Sequence, residues 1–374
     1  MDLTLTEDQE LIRSTARELL QERAATAGDR AVAGEPAGYS ASLWKEMVEL
    51  GWTGLAVPEA YGGVGAGFLE ACLLIEELGR FRIPSPFAAS VACCGMPIAR
   101  HATEEQRAEW LGAIAQGHVL SYAYGGWGRV GKAVRATERD GVFILDGVAP
   151  FVPYARAAQD LLVVAQLGDE PAAFLVSNAA SGTTERNASP GNAGLDIAEL
   201  DVVGPDPTYR VTFESTPVPP NRALGRAAAE SVAAFGAAAA CAEMVGGAQR
   251  VLDMTVEYAK EREQFGRAVG SFQAVQHHCA DMAIDVLSSR FIAYEAIWRL
   301  SAGLDATAEV SMAKAWVSEA YERVCALGHQ VHGAIGFTRE HDLHLFTQHA
   351  TASALTFGDG DHHWDRIATH LGLS

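Results

Sequence analysis

The spacing of hydrophobic residues changes twice along the chain. Over residues 1–119, apolar positions recur at helical intervals, which predicts a helical N-terminal domain. Residues 120–228 instead hold four short runs of β-branched and aromatic residues between Asp, Gly and Pro, which predict a middle β domain. The runs are FILDGVAPFV, DLLVVAQL, AAFLVS and TYRVTFE. Helical spacing returns over residues 229–374. The order helical, β, helical predicts an α+β fold.

The predicted helical faces can be assigned to particular residues. In the N-terminal domain, the apolar positions of two helices are Leu11, Ala16, Leu19 and Leu20, then Leu43, Met47 and Leu50. In the C-terminal domain, they are Val251, Met254 and Tyr258, then Val275, Cys279, Met282 and Val286. Long helices with such faces predict an antiparallel bundle.

A glycine-rich stretch, PEAYGGVGAG at residues 58–67, precedes a predicted helix and superficially suggests a phosphate-binding loop. Loops of that kind follow a β-strand, because the strand positions the glycines at the start of the helix. No strand clearly precedes residue 58. The stretch is therefore predicted to be a tight turn.

Composition and charge exclude several kinds of partner. The chain has 374 residues, 49% of them hydrophobic, and a net charge of -19. Such a surface repels a phosphate backbone, so nucleic acid is not expected as a partner. No apolar run reaches the roughly 20 residues of a membrane span. The N-terminus lacks the basic start and apolar centre of a signal peptide, so we expect a cytoplasmic protein.

The six cysteines provide no framework for a disulfide or a metal site. They lie in apolar or helical surroundings and form no CxxC pair. Such residues are usually buried, reduced thiols. We therefore predict neither disulfides nor a bound metal.

Two C-terminal segments resemble the acyl-CoA dehydrogenase family. They are YAKEREQFGRAVGSFQAVQHHCADM, from Tyr258 to Met282, and QVHGAIGF, from Gln330 to Phe337. The resemblance implies an N-terminal helical domain, a middle β-barrel or sandwich and a C-terminal four-helix bundle. It also implies an FAD enzyme that removes two hydrogens from the α and β carbons of an acyl-CoA thioester.

By resemblance, this chain keeps the residues that hold the FAD tail of a neighbouring subunit. Arg262 would face the diphosphate, and an Arg fork suits that group. The other cofactor-binding residues that the resemblance implies are Gln264, Phe265, Gln273, Gln330 and Gly333. The family usually has two successive glycines where this chain has Gly333 and Ala334.

The segments that would contact the flavin ring depart from the family pattern. Family members read Thr-Glu-Pro and then Gly-Ser-Asp where this chain has YAYGGWGRVG, residues 122–131. They place Trp, Ile and Thr or Ser where this chain has Phe151, Val152 and Pro153. Phe151 could stack on a ring, but Pro153 has neither a hydroxyl nor an N–H.

Both family positions for the catalytic base lack a carboxylate. The usual glutamate position falls on Phe357, and the alternative one falls near Gly236. We therefore assign no catalytic residue to this chain. Asp359, Asp361 and Glu243 remain as substitutes, although a displaced carboxylate loses the alignment that proton abstraction needs.

The residues after Phe357 also suit a helix start. Asp361 is predicted to cap a helix that begins with His362. Adjacent histidines on a helix do not face one metal ion, so His362 and His363 are predicted to be surface groups.

Three hypotheses follow, in order of preference. The chain is the supporting subunit of a heterotetramer with a second family member, as in actinobacterial enzymes for steroid side chains, with electron-transferring flavoprotein as acceptor. Alternatively, it is a self-sufficient homo-oligomer that uses Asp359 or another carboxylate. The third hypothesis is a non-redox acyl-CoA-binding or scaffold protein.

Overall fold

The computed structural model describes residues 4–124, 133–178 and 194–373. The N-terminal domain is helical, as predicted, and Thr6 and Thr103 form capping boxes at the first residues of two helices. A π-helical segment, Ala88–Gly95, leads into the fifth helix. The helices are α1 (Glu7–Ala27), α2 (Asp29–Val32), α3 (Ala41–Glu49), α4 (Phe68–Phe81), α5 (Met96–His101) and α6 (Glu104–Ala115).

Most of the predicted N-terminal core residues are buried, but Leu19 is half-buried and two others are exposed. Ala16 and Leu20 are inaccessible to solvent, whereas Leu11 is 65% exposed. At roughly 100° per residue, Leu11 lies about 140° around α1 from Ala16, so the two residues do not share a face. Leu50 is 50% exposed because it caps the C-terminal end of α3.

The glycine-rich stretch at 58–67 is a turn, as predicted. It contains a short 3₁₀ segment, Glu59–Tyr61, and folds back on the preceding backbone. The N–H of Val64 donates to the carbonyl of Gly54 at 2.9 Å, and the N–H of Ala66 donates to that of Leu55 at 2.9 Å. These bonds fix the entry into α4.

Eight strands form one sheet in the described part of the middle domain. The neighbours run in the order β6-β7-β3-β2-β4-β5-β8, and β1 pairs with β4 in parallel. The strands are β1 (Leu120–Tyr124), β2 (Arg135–Arg139), β3 (Val142–Pro153), β4 (Asp160–Leu167), β5 (Glu170–Ser177), β6 (Leu195–Leu200), β7 (Thr208–Val218) and β8 (Ala223–Gly225). The four predicted strand runs fall on β3, β4, β5 and β7. The middle domain is therefore a β domain, as predicted.

The C-terminal domain is built from long helices around α7. The elements are α7 (Arg226–Glu261), β9 (Glu263–Gln264), β10 (Arg267–Ala268), α8 (Gln273–Ser301), α9 (Thr307–His332), α10 (Leu343–Leu355) and α11 (Gly360–His370). Helix α7 is long and apolar enough to cross a membrane, but 89% of its most apolar window is buried inside the protein. Burial of that kind is typical of a central helix in a globular core.

Two helices, α4 and α7, approach so closely that no side chain fits between them. A Cβ atom added to Gly246 would lie 1.8 Å from the carbonyl oxygen of Glu76. The Glu76 carboxylate then reaches α8, where it accepts from Arg290 at 2.5 Å and from the hydroxyl of Tyr294 at 2.6 Å. These contacts join the N-terminal domain to the helical bundle.

All six cysteines are free thiols. Cys279 is partly exposed and the other five are buried. Burial raises the pKa of the Cys241 and Cys325 thiols to about 12, which keeps them protonated at neutral pH. The described residues contain no cluster of His, Cys, Asp or Glu that could hold a metal ion.

Lys314 of α9 is a fully buried amine. It donates to the hydroxyl of Ser318 at 3.0 Å, the carbonyl of Ala354 at 2.9 Å and the carbonyl of Gly358 at 3.1 Å. Burial lowers its pKa from 10.5 to about 8, because the charged form loses its hydration. The amine therefore ties the turn between α10 and α11 to α9.

We expect Lys314→Met to show a pH-dependent stability difference from the wild type. Between pH 8 and 10.5 the unfolded chain binds more protons at this lysine than the folded chain does. The lysine's contribution to the free energy of unfolding must therefore rise with pH across that window. Urea titrations should show the wild type gaining on the order of 2 to 3 kcal/mol relative to the variant.

Titrating groups that do not interact with Lys314 cancel in this comparison, because both proteins carry them. Lys45→Met is the control, since Lys45 is 79% exposed at its side chain. A difference between Lys314→Met and the wild type that stays constant with pH, or a pH trend that Lys45→Met shows equally, would contradict the assignment.

Candidate cofactor site and acyl site

Arg262, Gln264 and Phe265 lie on or beside a short hairpin that connects α7 to α8. Strands β9 and β10 are joined by Phe265 and Gly266, with φ of 54° and 76°. Two successive positive φ values are typical of a type I′ hairpin turn, whose twist matches that of the strands. The turn leaves the Phe265 side chain 92% exposed.

Phe272 fixes the position of the hairpin. The Arg267 guanidinium lies 4.0 Å from the centre of its ring, and the Phe265 ring centre is 6.1 Å away. The N–H of Val269 donates to the carbonyl of Arg262 at 2.7 Å. The side chains of Arg262 and Gln264 are exposed, as is that of Gln273 at the start of α8.

Gln330 and Gly333 line a groove of about 660 Å³ between α9 and α10. Gly333 has a φ of 65°, which favours glycine, and a Cβ atom there would meet no atom within 4 Å. The backbone at this point is therefore open to a ligand. The opposite wall includes Thr347 and Ala350.

His329 and Phe337 give the groove an aromatic and a polar component. Their rings are stacked 4.3 Å apart, and Phe337 is 70% exposed. Nε2 of His329 lies 2.8 Å from the Thr347 hydroxyl, but its buried Nδ1 has no hydrogen-bond partner among the described residues. Burial lowers the pKa of His329, so the ring is neutral at neutral pH. The exposed ring of Phe337 therefore gives the groove a stacking surface that suits a nucleotide base.

A second stacked pair joins the hairpin to the groove. The rings of Tyr258 and His332 lie 4.5 Å apart, and the Tyr258 hydroxyl donates to the carbonyl of His332 at 3.4 Å. Tyr258 is one turn before Arg262, and His332 directly precedes Gly333. The structure thus brings all six predicted FAD residues to one end of the helical domain, where each is exposed.

The structure describes only some of the residues predicted to contact the flavin ring. Residues 125–132, which include Trp127 and most of the stretch compared with Thr-Glu-Pro, lie outside the described residues. Phe151 is 57% exposed at a bulge of β3, with a φ of 58°. The carbonyl of Pro153 accepts from the hydroxyl of Ser121. Phe151 is thus available for stacking, whereas the backbone at Pro153 is tied to β1.

The two positions where the family carries its base are in direct contact. A Cβ atom added to Gly236 would lie 2.1 Å from Cζ of Phe357, so the Phe357 ring packs against the backbone of α7. The Tyr122 ring lies 5.0 Å away on another side, tilted by 30°. Phe357 itself is only 3% exposed. The Phe357 ring therefore occupies the space that a larger side chain at position 236 would need.

The substitute carboxylates have structural partners. Asp359 caps α11 by accepting from the N–H of His362 at 2.9 Å, so the prediction that Asp361 is the cap was wrong. The helix begins at Gly360, and Asp361 lies within its first turn. Glu243 lies 3.4 Å from Nε2 of His349 and about 10 Å along α7 from Gly236.

His363 is not a surface group, contrary to the prediction. It is 3% exposed, and Nε2 donates to the carbonyl of Phe357 at 3.0 Å. Burial lowers its pKa to about 3, which keeps the ring neutral. Its position follows from the earlier helix start, because capping by Asp359 turns His363 toward the bundle.

Sequence reasoning missed several residues that shape the site. Tyr122, Lys314 and His363 surround or hold the Phe357 turn, and His329 lines the groove. Lys314 had a readable signal, since it lies within an apolar stretch of α9 where a charged residue is unusual. His329 could have been found as the neighbour of Gln330.

We expect Gly236→Ala to destabilise the wild type and to be tolerated when Phe357 is also changed to Ala. The added methyl group overlaps the Phe357 ring, and overpacking of this kind costs about 1–3 kcal/mol. A double-mutant cycle of unfolding free energies should show strong coupling between the two positions. Ala233→Gly, on the same helix, provides a comparison that leaves the ring contact intact. Additive effects of Gly236→Ala and Phe357→Ala would contradict the contact.

Comparisons with known proteins agree with this architecture. Residues 6–118 match the acyl-CoA dehydrogenase N-terminal domain, and residues 224–372 match the acyl-CoA dehydrogenase C-terminal domain. The acyl-CoA dehydrogenase IpdE2 of Mycobacterium tuberculosis is 30% identical over 357 residues, which cover 94% of this chain and 93% of that protein.

Two solved structures share the fold along their full length. The ChsE4-ChsE5 complex of Mycobacterium tuberculosis has a chain that is 27% identical, with a TM-score of 0.90 and complete coverage of both chains. A steroid acyl-CoA dehydrogenase, Tcur3481-Tcur3483, has a chain that is 28% identical, with a TM-score of 0.88 and 99% coverage of both chains. This chain belongs to the acyl-CoA dehydrogenase family of FAD-dependent oxidoreductases.

Proposed function

We propose that this chain is the supporting subunit of a heteromeric acyl-CoA dehydrogenase that acts on a steroid side-chain or similarly bulky acyl-CoA. The observation that carries the proposal is the contact between Phe357 and Gly236. Proton abstraction needs a carboxylate against the α-carbon of the substrate. Here both positions for that carboxylate are filled by one buried contact, so the base would come from a partner subunit.

The residues proposed to hold the FAD tail support the part of the proposal in which the cofactor is shared with a partner subunit. In this reaction FAD supplies the hydride acceptor. Arg262 would hold the cofactor's diphosphate through its guanidinium, and Gln264, Gln273 and Gln330 would add amide hydrogen bonds. Phe265 and the open backbone at Gly333 would border the same path. All six lie exposed at one end of the helical domain, as suits a cofactor shared with a neighbour.

The relatives support a heteromeric assembly and a steroid substrate. One similar structure is a complex of two named proteins, ChsE4 and ChsE5. Another is described as a steroid acyl-CoA dehydrogenase. The proposed partner is a family member with an intact glutamate and Thr-Glu-Pro segment. The proposed electron acceptor is electron-transferring flavoprotein, and the proposed location is the cytoplasm.

The two alternatives have weaker support. A self-sufficient enzyme that uses Asp359 would have to release that carboxylate from its cap on α11, and capping typically contributes about 1 kcal/mol. A non-redox scaffold would have no use for an exposed arginine beside an aromatic groove. We therefore keep the supporting subunit as the proposal.

An apolar stripe on α8 is the proposed contact with other subunits. Ile284, Leu287, Phe291 and Trp298 are between 36% and 64% exposed. Their spacing of three, four and seven residues places them on one helix face. A helix face of this kind normally packs against another apolar surface, because burying it stabilises the assembly.

We expect FAD to bind only when this chain is co-expressed with a family member that carries the glutamate. Expressed alone, the chain should purify without flavin absorbance at visible wavelengths. In the complex, Arg262→Ala combined with Gln330→Ala should lower FAD content and weaken FAD affinity by at least tenfold, because a charge-assisted hydrogen bond contributes about 1.5–3 kcal/mol.

Arg139→Ala is the matched control for the FAD measurement, since Arg139 is an exposed arginine on the β domain. It should leave FAD content unchanged. Stoichiometric flavin in the isolated chain, bleached by an acyl-CoA, would refute the supporting-subunit proposal. It would favour the alternative in which Asp359 acts as the base.

We expect Leu287→Glu combined with Phe291→Glu to dissociate the assembly. Placing two carboxylates within an apolar interface opposes association, because buried unpaired charges are strongly unfavourable. Light scattering should show a fall toward the 39.7 kDa mass of one chain. Leu11→Glu is the matched control, since Leu11 is equally apolar, 65% exposed and located on α1. An unchanged mass for the α8 variant would place the interface elsewhere.

A further inference from the structure

We propose that Phe357 is an acyl-excluding residue, whose ring closes this chain's own cleft to the acyl group of a CoA thioester. The proposal deepens the proposed function and rests on it in taking acyl-CoA as the ligand. It goes further by stating that the loss of the base is accompanied by a steric block. The acyl group would then be accepted only by the partner's cleft.

The ring has no open side toward a substrate. It packs on the backbone of Gly236, while the ring centres of Tyr122 and Tyr124 lie 5.0 Å and 6.5 Å from it. A residue that acts as a base must present its end to the substrate carbon. Phe357 is 3% exposed, so the side chain at this position is enclosed by the protein itself.

The turn that carries Phe357 is held in place from two helices. His363 of α11 donates to the carbonyl of Phe357 at 3.0 Å, and Lys314 of α9 donates to those of Gly358 and Ala354 at 3.1 and 2.9 Å. Phe357 has a φ of 59°, a left-handed conformation that a bulky residue adopts only when its surroundings impose it. The backbone that carries the ring is therefore held in place by both helices.

Substitutions at position 357 should open the cleft without loss of the backbone turn. Phe357→Gly removes the ring and suits the positive φ, because glycine adopts that conformation freely. Phe357→Ala removes the ring and keeps a side chain. Phe357→Leu is the matched control, since it keeps a large apolar side chain over Gly236. Circular dichroism melting curves establish which variants fold.

Isothermal titration calorimetry with octanoyl-CoA and with CoA measures acyl access directly. For the wild-type chain and Phe357→Leu, we expect octanoyl-CoA to bind no more than threefold tighter than CoA, or neither ligand to bind. For Phe357→Gly and Phe357→Ala, we expect octanoyl-CoA to bind at least tenfold tighter than CoA, because part of the acyl chain enters the vacated space.

Two results would overturn the inference. One is a wild-type chain that already prefers octanoyl-CoA by tenfold or more, a test that needs no variant to fold. The other is a folded Phe357→Gly or Phe357→Ala chain with no gain in that preference. Neither result bears on FAD sharing, which is measured by flavin content on co-expression. Flavin sharing without acyl exclusion would leave the proposed function standing and remove this inference alone.

Discussion

The close packing of other elements against α7 is the constraint on which the rest of the structure depends. At Gly246 the backbone of α4 comes so near that a single methyl group would overlap the carbonyl of Glu76. At Gly236 the same helix receives the ring of Phe357. Glycine lowers helix stability by about 1 kcal/mol relative to alanine. Here that loss is offset by contacts that join the N-terminal domain and the α10–α11 turn to one central helix.

This constraint is consistent with the proposal that one chain keeps an exposed cofactor site at one end and has a closed acyl site. The exposed hairpin and groove lie where α7 and α9 end, and Tyr258 and His332 hold those two ends together. The Phe357 turn lies against the other half of α7, near Gly236. A change near Gly236 can therefore leave the residues proposed to bind FAD in place, because different parts of the helix support the two regions.

Much of the fold could be predicted from sequence, because periodicity reports on local structure. The three-domain order, the four strand runs and the turn at 58–67 depend on neighbouring residues, and they were correct. The prediction for Leu11 was wrong because Leu11 and Ala16 are both apolar but lie on different faces of α1. The cap of α11 was misplaced by two residues because Asp359 and Asp361 both precede a helical pattern, and only the backbone distinguishes them. His363 was then assigned to the wrong environment.

The contact at the acyl site could not be predicted, because Gly236 and Phe357 are far apart in sequence. Both residues depart from the family pattern, but a single sequence does not show that they are in contact. The close packing of protein interiors gives a physical reason for the glycine and the phenylalanine at these two positions. A cleft that no longer holds an acyl group is a cavity, and an unfilled cavity costs about 24 cal/mol per Å³. A carboxylate left in it without substrate or partner would be costlier still. An aromatic ring that packs on a glycine avoids both penalties, so under the proposed function loss of the base and closure of the site would be one structural change.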